Sequence, residues 1–141
     1  KAVFSNGPYD IAICAAAVSD WHVQNESDKK IKKTDATTVP HISLEKNPDI
    51  LADLSKSKNR PGLVIGFAAE TEQLVKNGKE KLMSKGCDLI IANKIDEKFS
   101  ILGHENNEVT IITNDYTKKW PKMTKVEISK KLGQLIVEYY S

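Results

Sequence analysis

Two short segments of this chain carry small side chains directly after an apolar run, the place where an open α/β sheet binds its ligands. Residues 15–20 (AAAVSD) follow one apolar run, and residues 66–71 (GFAAET) follow residues 63–65 (LVI). Small side chains allow a flat or phosphorylated ligand to approach the backbone, while Asp20 and Phe67 add a polar and an apolar contact. Two such strand ends in one short chain favour an enzyme that acts on a small molecule.

Asp20 and Phe67 also have ordinary structural interpretations. Asp20 either holds a ribose hydroxyl or a hydrated magnesium ion, or it caps a helix or a turn. Phe67 either forms an apolar platform for a ligand or belongs to the core. The residue types leave both alternatives open.

Two groups of lysines are candidates for neutralising phosphate. Residues 29–33 (KKIKK) lie in a polar segment after the first strand end. They form either a solvated charged surface or a basic flap that folds over a polyphosphate and excludes water. Lys81 and Lys85 are spaced i, i+4 and therefore share one face of a helix. They either keep that surface soluble or bind phosphate oxygens beside Phe67.

Other site chemistries lack a supporting pattern. The histidines (His22, His41 and His104) and the cysteines (Cys14 and Cys87) do not have the spacing of a zinc site. The chain contains no G-x-S-x-G elbow, no P-loop signature and no G-x-G-x-x-G fingerprint. We therefore assign no metal ligand and expect lysines, or residues upstream of this sequence, to cradle any phosphate.

Composition and charge narrow the class of protein further. The 141 residues suit one domain, and a formal net charge of +2 argues against a general nucleic-acid or membrane binder. No apolar run reaches the roughly 18 residues that cross a bilayer, and no signal peptide is visible. The two distant cysteines lie in apolar runs and indicate core residues in a reducing compartment. We expect a cytoplasmic protein.

Hydrophobic patterning predicts the elements that position these residues. Asn47 is expected to cap a helix with Pro48 at its first position, and Thr124 with Glu127 forms a capping box. Strands alternating with helices predict an α/β fold with a mainly parallel sheet. The predicted strands are 9–18, 63–67, 88–93, 108–113 and a weaker one at 118–121. The predicted helices begin at Asn47, run over 71–85 with Gly86 as the stop, and begin at Thr124. A polar arm at 22–46 includes a possible strand at 39–44.

Six segments in this order resemble the phosphopantothenoylcysteine synthetase (phosphopantothenate–cysteine ligase) family. They are residues 15–21 (AAAVSDW), 30–33 (KIKK), 46–51 (KNPDIL), 66–71 (GFAAET), 89–93 (LIIAN) and 106–107 (NN) before a hairpin. The resemblance covers essentially the whole chain and implies a Rossmann-like three-layer fold with a lysine-rich flap and a C-terminal β-hairpin plus helix. In bacteria this family often forms the C-terminal half of a bifunctional coenzyme A biosynthesis flavoprotein.

The resemblance implies a two-step ligation. CTP activates the carboxylate of 4′-phosphopantothenate as an acyl-cytidylate with loss of pyrophosphate, and the amine of L-cysteine then displaces CMP. It also implies Mg²⁺ with the triphosphate, a homodimer in which the arm at 22–46 is a plausible exchange element, and no nucleic-acid or membrane partner. FMN is expected only in a possible upstream decarboxylase domain.

Carried over by position, the resemblance assigns Lys30 as the catalytic flap lysine that meets phosphate. It assigns the nucleotide site to Cys14, Ala15, Ala16, Asp20, Lys30, Pro48, Asp49, Ile50, Leu51, Phe67, Lys81 and Lys85. The family's glycine-rich turn and catalytic asparagine have no counterpart here, and the chain begins at Lys1 without methionine. We therefore expect residues 1–141 to be the C-terminal portion of a single ligase domain.

Two other functions stay open at this stage. A non-catalytic nucleotide-binding or dimerisation module would share the same strand ends and lysines. An NAD-linked reductase would need a G-x-G-x-x-G motif upstream, and nothing in these residues requires a hydride carrier.

Overall fold

The structure, a computed structural model, describes residues 2–26, 41–94 and 106–141. The lysine-rich segment 29–33, and with it the predicted flap and Lys30, lies outside these residues. The elements in chain order are α1 (Ala2–Ser5), β1 (Ile11–Cys14), β2 (Trp21–Val23), β3 (Leu44–Lys46), α2 (Ile50–Ser55), β4 (Leu63–Glu70), α3 (Leu74–Lys85), β5 (Leu89–Lys94), β6 (Asn106–Asn107), β7 (Val109–Ile112), β8 (Thr117–Lys119), β9 (Met123–Thr124) and α4 (Lys125–Tyr139).

A five-stranded sheet in the order β1-β4-β5-β7-β8 forms the centre of the fold. Strands β1, β4 and β5 pair in parallel, whereas β7 is antiparallel to both β5 and β8. Only β7 therefore runs against the common direction, which confirms the predicted α/β fold with a mainly parallel sheet. The predicted hairpin is the β7–β8 pair, closed by a bond from Thr113 N to Tyr116 O.

Alternate residues of the central strands face opposite layers, as the pleat requires. Ile65 and Ile91 face one layer and pack with residues of α4, while Val64 and Ile90 face the other and pack with Leu82 of α3. All four strand residues are fully buried. Helices therefore cover both faces of the sheet, which explains why its central strands read as continuous apolar runs.

The start of α2 differs from the prediction. Asp49, not Asn47, is the N-cap, because its side chain accepts a hydrogen bond from Ala52 N. Asn47 instead donates from Nδ2 to Ser19 O at 2.8 Å, and its backbone N–H bonds to Asp20 O. The amide is thus used in a long-range contact, and the helix begins two residues later than a local cap at Asn47 would place it.

Several strand bounds also differ. Strand β1 is shorter than the predicted 9–18, since only Ile11–Cys14 pairs with β4. Strand β4 continues past Phe67 because it pairs with β5 as far as Glu70, and α3 accordingly begins at Leu74 rather than at 71. In the arm, residues 39–40 of the predicted strand lie outside the described residues, and the observed strand begins only at Leu44 and continues to Lys46, paired with Trp21–Val23.

Two helix-end predictions are confirmed. Glu127 N donates to Thr124 Oγ1, and Glu127 Oε2 accepts from Thr124 N at 2.8 Å, which completes the capping box of α4. Gly86 follows α3 in the left-handed conformation, φ 69°, and its N–H bonds to Leu82 O. A glycine adopts this conformation without a steric penalty, so it ends the helix.

A candidate nucleotide site at the carboxyl ends of two parallel strands

A cleft of about 640 Å³ opens at the end of β1 and beside Phe67 of β4, three residues before β4 ends at Glu70. Most of the predicted site residues line it, from four segments of the chain. These residues are Cys14, Ala15, Ala16, Asp20, Pro48, Asp49, Ile50, Leu51, Phe67 and Lys85. The cleft therefore lies at the strand edge where parallel α/β sheets bind ligands.

The floor of the cleft depends on the close approach of α2 to the sheet. Cys14 at the end of β1 is in register with Gly66 of β4. A Cβ added at Gly66 would stand 2.6 Å from Leu51 Cδ2 and 2.8 Å from Ile90 Cδ1. Because glycine has no side chain there, Leu51 reaches the strand and still lines the cleft.

The loop after β1 is tied to the segment before α2. Asn47 makes both of these ties, with its side chain on Ser19 O and its backbone N–H on Asp20 O. Asp20 itself is exposed and faces the cleft from this loop. Two segments that are distant in the sequence therefore form one wall.

Phe67 provides an exposed aromatic surface in a strand that is otherwise mostly buried. It is 38% exposed, whereas Ala68 next to it is 1% exposed. Phe67 lines the cleft and lies outside both core clusters. Phe67 is therefore not a core residue, and its role as a ligand platform stays a prediction.

Lys85 of α3 reaches the cleft and forms an ion pair with Asp49 Oδ2. Desolvation acts to raise the pKa of Asp49. Its hydrogen bonds from Lys85 and Ala52, together with the charges of Lys85 and Lys46, outweigh that effect, so the pKa of Asp49 lies below its ordinary value. Asp49 is therefore a carboxylate at neutral pH, and Lys85 is held by it at the cleft wall.

Lys81 does not line the cleft. Its Nζ lies 2.8 Å from Glu70 Oε1 and forms an ion pair with it. Glu70 Oε2 also accepts from Asn77 Nδ2 at 2.8 Å. Burial acts to raise the pKa of Glu70, but Lys81 and Asn77 outweigh it and lower the pKa. The two lysines of the predicted pair thus have separate carboxylate partners.

Seven cleft residues were not assigned from the sequence: Val3, Ile13, Val18, Ser19, Trp21, Lys46 and Asn47. Trp21 of β2 is in register with Lys46 of β3, so the two-stranded ribbon at the base of the arm contributes to the wall. Trp21 is the last residue of the family-like segment 15–21, and Lys46 is the first residue of the segment 46–51. Their position beside Asp20 and Asn47 was the signal that could have identified them.

The thiols show no sign of activation. Cys14 and Cys87 are both free. Burial raises the pKa of the Cys87 thiol to about 11 and also raises that of Cys14. Both side chains are therefore protonated at neutral pH and are poor nucleophiles.

Within residues 2–26, 41–94 and 106–141, no three His, Cys, Asp or Glu side chains lie close enough together to hold a metal ion. None of the helices in this described part has the length and apolar character needed to cross a membrane.

Known proteins are similar to this chain over most of its length. A cysteine/cysteine sulfinic acid decarboxylase from an unknown prokaryotic organism is 40% identical over 121 residues, which are 85% of this chain and 33% of that protein. The coenzyme A biosynthesis bifunctional protein CoaBC of Thermococcus kodakarensis is 36% identical over 129 residues, 88% of this chain and 30% of that protein. The chain therefore spans about a third of the length of these relatives.

A solved structure gives the same result at the level of the fold. The crystal structure of the C-terminal domain of CoaBC matches with a TM-score of 0.64 and 30% identity, covering 90% of this chain and 53% of that one. A family model described as the DNA/pantothenate metabolism flavoprotein C-terminal domain matches residues 1–140. The chain belongs to this family of flavoprotein C-terminal domains.

Proposed function

We propose that this chain forms the C-terminal portion of a phosphopantothenate–cysteine ligase of coenzyme A biosynthesis, and that its cleft binds CTP. In this reaction the carboxylate of 4′-phosphopantothenate attacks the α-phosphorus of CTP and pyrophosphate leaves. The amine of L-cysteine then attacks the acyl carbon of the acyl-cytidylate, and CMP leaves. The products are phosphopantothenoylcysteine, CMP and pyrophosphate.

One observation carries this proposal. The residues that the family pattern assigns to the nucleotide, apart from Lys30 and Lys81, line a single cleft at the carboxyl end of β1 and beside Phe67 of β4. They come from four separate segments of a chain that belongs to the family. A set of unrelated surface residues would not be expected to converge in this way.

The cleft offers different chemistry to different parts of a nucleotide. Phe67 presents an exposed apolar ring on which the nucleoside packs, and the segment 48–51 lines the same cleft. Lys85 lines the same cleft, and in this proposal its ammonium binds phosphate oxygens. Lys30, beyond the described residues, would add a second positive charge where negative charge develops during activation.

The residues present also suit Mg²⁺ bound together with the triphosphate. Mg²⁺ is usually held by one or two carboxylates plus substrate phosphates rather than by a dedicated protein cage. Asp20 is an exposed carboxylate that lines the cleft. We propose Asp20 as the oxygen ligand, directly or through water, with Mg²⁺ neutralising phosphate charge when bound.

The arm supports a proposed homodimer. Within the described residues its base is a separate two-stranded ribbon, on which Trp21, Val23 and Leu44 are all at least 40% exposed. A lone two-stranded ribbon is at best marginally stable in water. A second copy covering this apolar face would stabilise it, and sedimentation of a Leu44→Lys variant as a monomer would support the assignment.

The decarboxylase activity named in one relative, and any FMN, would belong to the region that this chain does not span.

The first experiment measures CTP binding by calorimetry and CTP-dependent pyrophosphate release in the full-length protein. We expect both, with release requiring 4′-phosphopantothenate, and we expect ATP to substitute poorly. CTP binding without any turnover would favour the non-catalytic nucleotide-binding module instead. Absence of CTP binding would exclude both functions.

A second experiment tests what each lysine contributes to CTP binding or turnover. We expect Lys85→Ala to weaken CTP binding about tenfold or more, since a charge-assisted contact to phosphate is worth about 1.5–3 kcal/mol. Lys79→Ala on an exposed position of α3 is the matched control. Unchanged affinity for CTP in both Lys81→Ala and Lys85→Ala would mean that neither lysine binds phosphate and that both are ordinary surface residues. Lys30→Gln should reduce turnover, and unchanged pyrophosphate release by that variant would refute the flap role.

A further inference from the structure

Asp49 joins two helices that reach the cleft from different directions. It is the N-cap of α2, and its partner Lys85 is the last residue of α3. Both side chains are partly buried, with 35% of the Asp49 side chain and 30% of the Lys85 side chain exposed. Both residues line the cleft.

The two carboxylate oxygens of Asp49 have separate tasks. Oδ1 accepts from Ala52 N at 3.1 Å, which fixes the side chain relative to the first turn of α2. Oδ2 accepts from Lys85 Nζ. The orientation of the carboxylate is thus set by the helix cap, and the position of the ammonium is set by the carboxylate.

We propose that Asp49 is a positioning residue that acts through Lys85. It holds the Lys85 ammonium at the cleft wall in one conformation, in which the ammonium binds the phosphates of CTP. This inference rests on the proposed function. A lysine side chain has several flexible bonds, and a contact made by a free lysine loses that rotamer freedom on binding. Two of the three N–H donors of Lys85 remain for phosphate while the third stays on Asp49.

A simple charge argument makes the opposite prediction. Asp49 is a negative charge in the cleft, so removing it would make the site more attractive to a polyanion by long-range Coulomb interaction. Positioning predicts weaker binding when that charge is removed, and simple electrostatics predicts tighter binding. The sign of the change in affinity therefore distinguishes the two.

The chain provides a clean substitution and a matched control. Asp49→Asn keeps a good N-cap, because asparagine caps helices about as well as aspartate, but it removes the ion pair. Asp53→Asn makes the same charge change in the same helix at an exposed position that does not line the cleft. Long-range charge effects are therefore similar in the two variants.

The test measures the Kd of CTP with Mg²⁺ by calorimetry in the full-length protein for four variants and the wild type. We expect Asp49→Asn to raise Kd about tenfold, a change of about 1.4 kcal/mol, while Asp53→Asn stays within about twofold of wild type. In the Lys85→Gln background, the same Asp49→Asn change should have no further effect, because Asp49 acts through the ammonium. A purely structural role would persist in that background.

Four results would overturn the inference. One is tighter CTP binding by Asp49→Asn, and another is an equal loss in Asp49→Asn and Asp53→Asn. The third is a loss that remains undiminished in the Lys85→Gln background. The fourth is CTP binding that Lys85→Gln weakens and Asp49→Asn does not, which would remove the positioning role alone. If the wild-type protein does not bind CTP, the proposed function is wrong as well.

Discussion

Gly78 of α3 packs directly against the side chain of Ile112 in β7, with no room between them for a Cβ. An added Cβ would meet Ile112 Cδ1 well inside any normal contact distance and would lie 3.7 Å from Ala92 Cβ. Ile112 is fully buried, so it has little freedom to move away. The close approach of α3 to the sheet, which also places Lys81 and Lys85, therefore depends on this glycine.

We expect Gly78→Ala to lower the free energy of unfolding by about 1–3 kcal/mol because it overpacks a dense core. Gly133 of α4 is the control, since a Cβ there meets nothing within 4 Å. Gly133→Ala should instead stabilise the protein by about 0.5–1 kcal/mol through helix propensity. Urea unfolding of the two variants measures both values, and equal shifts would contradict the packing explanation.

Gly66→Ala tests the connection between the sheet and the cleft. The new methyl group would push Leu51 and Ile90 apart from β4, and Leu51 lines the cleft. We expect a loss of about 1–3 kcal/mol in stability together with weaker CTP binding at temperatures where the variant is folded. Calorimetric affinity alongside thermal unfolding checks both effects. Normal affinity in a folded variant would show that Leu51 does not shape the site.

Glu70→Gln removes the charge that pairs with Lys81 while keeping an oxygen for Asn77. The Glu70 side chain is only 12% exposed, and that of Lys81 is 43% exposed. We expect a loss of about 1 kcal/mol in the free energy of unfolding, since one charged hydrogen-bonding partner is replaced by a neutral one. Glu80→Gln, on an exposed position of α3, serves as the control and should change stability by less than about 0.5 kcal/mol.

The pH dependence of the same pair has a defined sign. The pKa of Glu70 in the folded protein lies below its ordinary value of 4.5. Its contribution is therefore fully present above about pH 4.5 and is lost as the pH falls through the lowered folded-state pKa. The stability difference between wild type and Glu70→Gln should shrink on acidification. Chemical unfolding at pH 7 and below pH 4 measures it, and a constant difference would rule out a role for the carboxylate charge.

Thr124→Ala tests the cap that begins α4. The side chain of Thr124 satisfies Glu127 N, and the Glu127 carboxylate satisfies Thr124 N in return. We expect the alanine variant to lose about 1 kcal/mol of stability. Thr124→Ser retains the hydroxyl and should recover most of that loss in the same unfolding assay. Failure of serine to recover it would point to the methyl group rather than to the cap.

Local signals were sufficient for much of the fold. The apolar run of β4, the capping box at Thr124 and the stop at Gly86 were all predicted from residues within a few positions of one another. Such features depend on hydrophobic period and on backbone hydrogen bonds that form within one turn. The strand end before residues 15–20 was predicted for the same reason, whereas the predicted end at 66–71 was wrong because β4 pairs with β5 as far as Glu70.

Other features were decided by contacts between distant residues. Asn47 is a good helix cap by type, yet it bonds to Ser19 O and leaves Asp49 to cap α2. The i, i+4 spacing placed Lys81 and Lys85 on one helix face, but it could not show that they pair with Glu70 and Asp49. Both lysines lie on α3, whereas Glu70 lies on β4 and Asp49 caps α2.

The sequence by itself determined the family, the alternation of strands and helices, and the chemical types available to the site. Tertiary structure alone decided which of those groups share a cleft, because parallel strands bring separate segments to one edge of the sheet. Ion pairs followed that placement, since the charge on Lys85 meets whichever carboxylate the packing of α2 against β4 brings within reach.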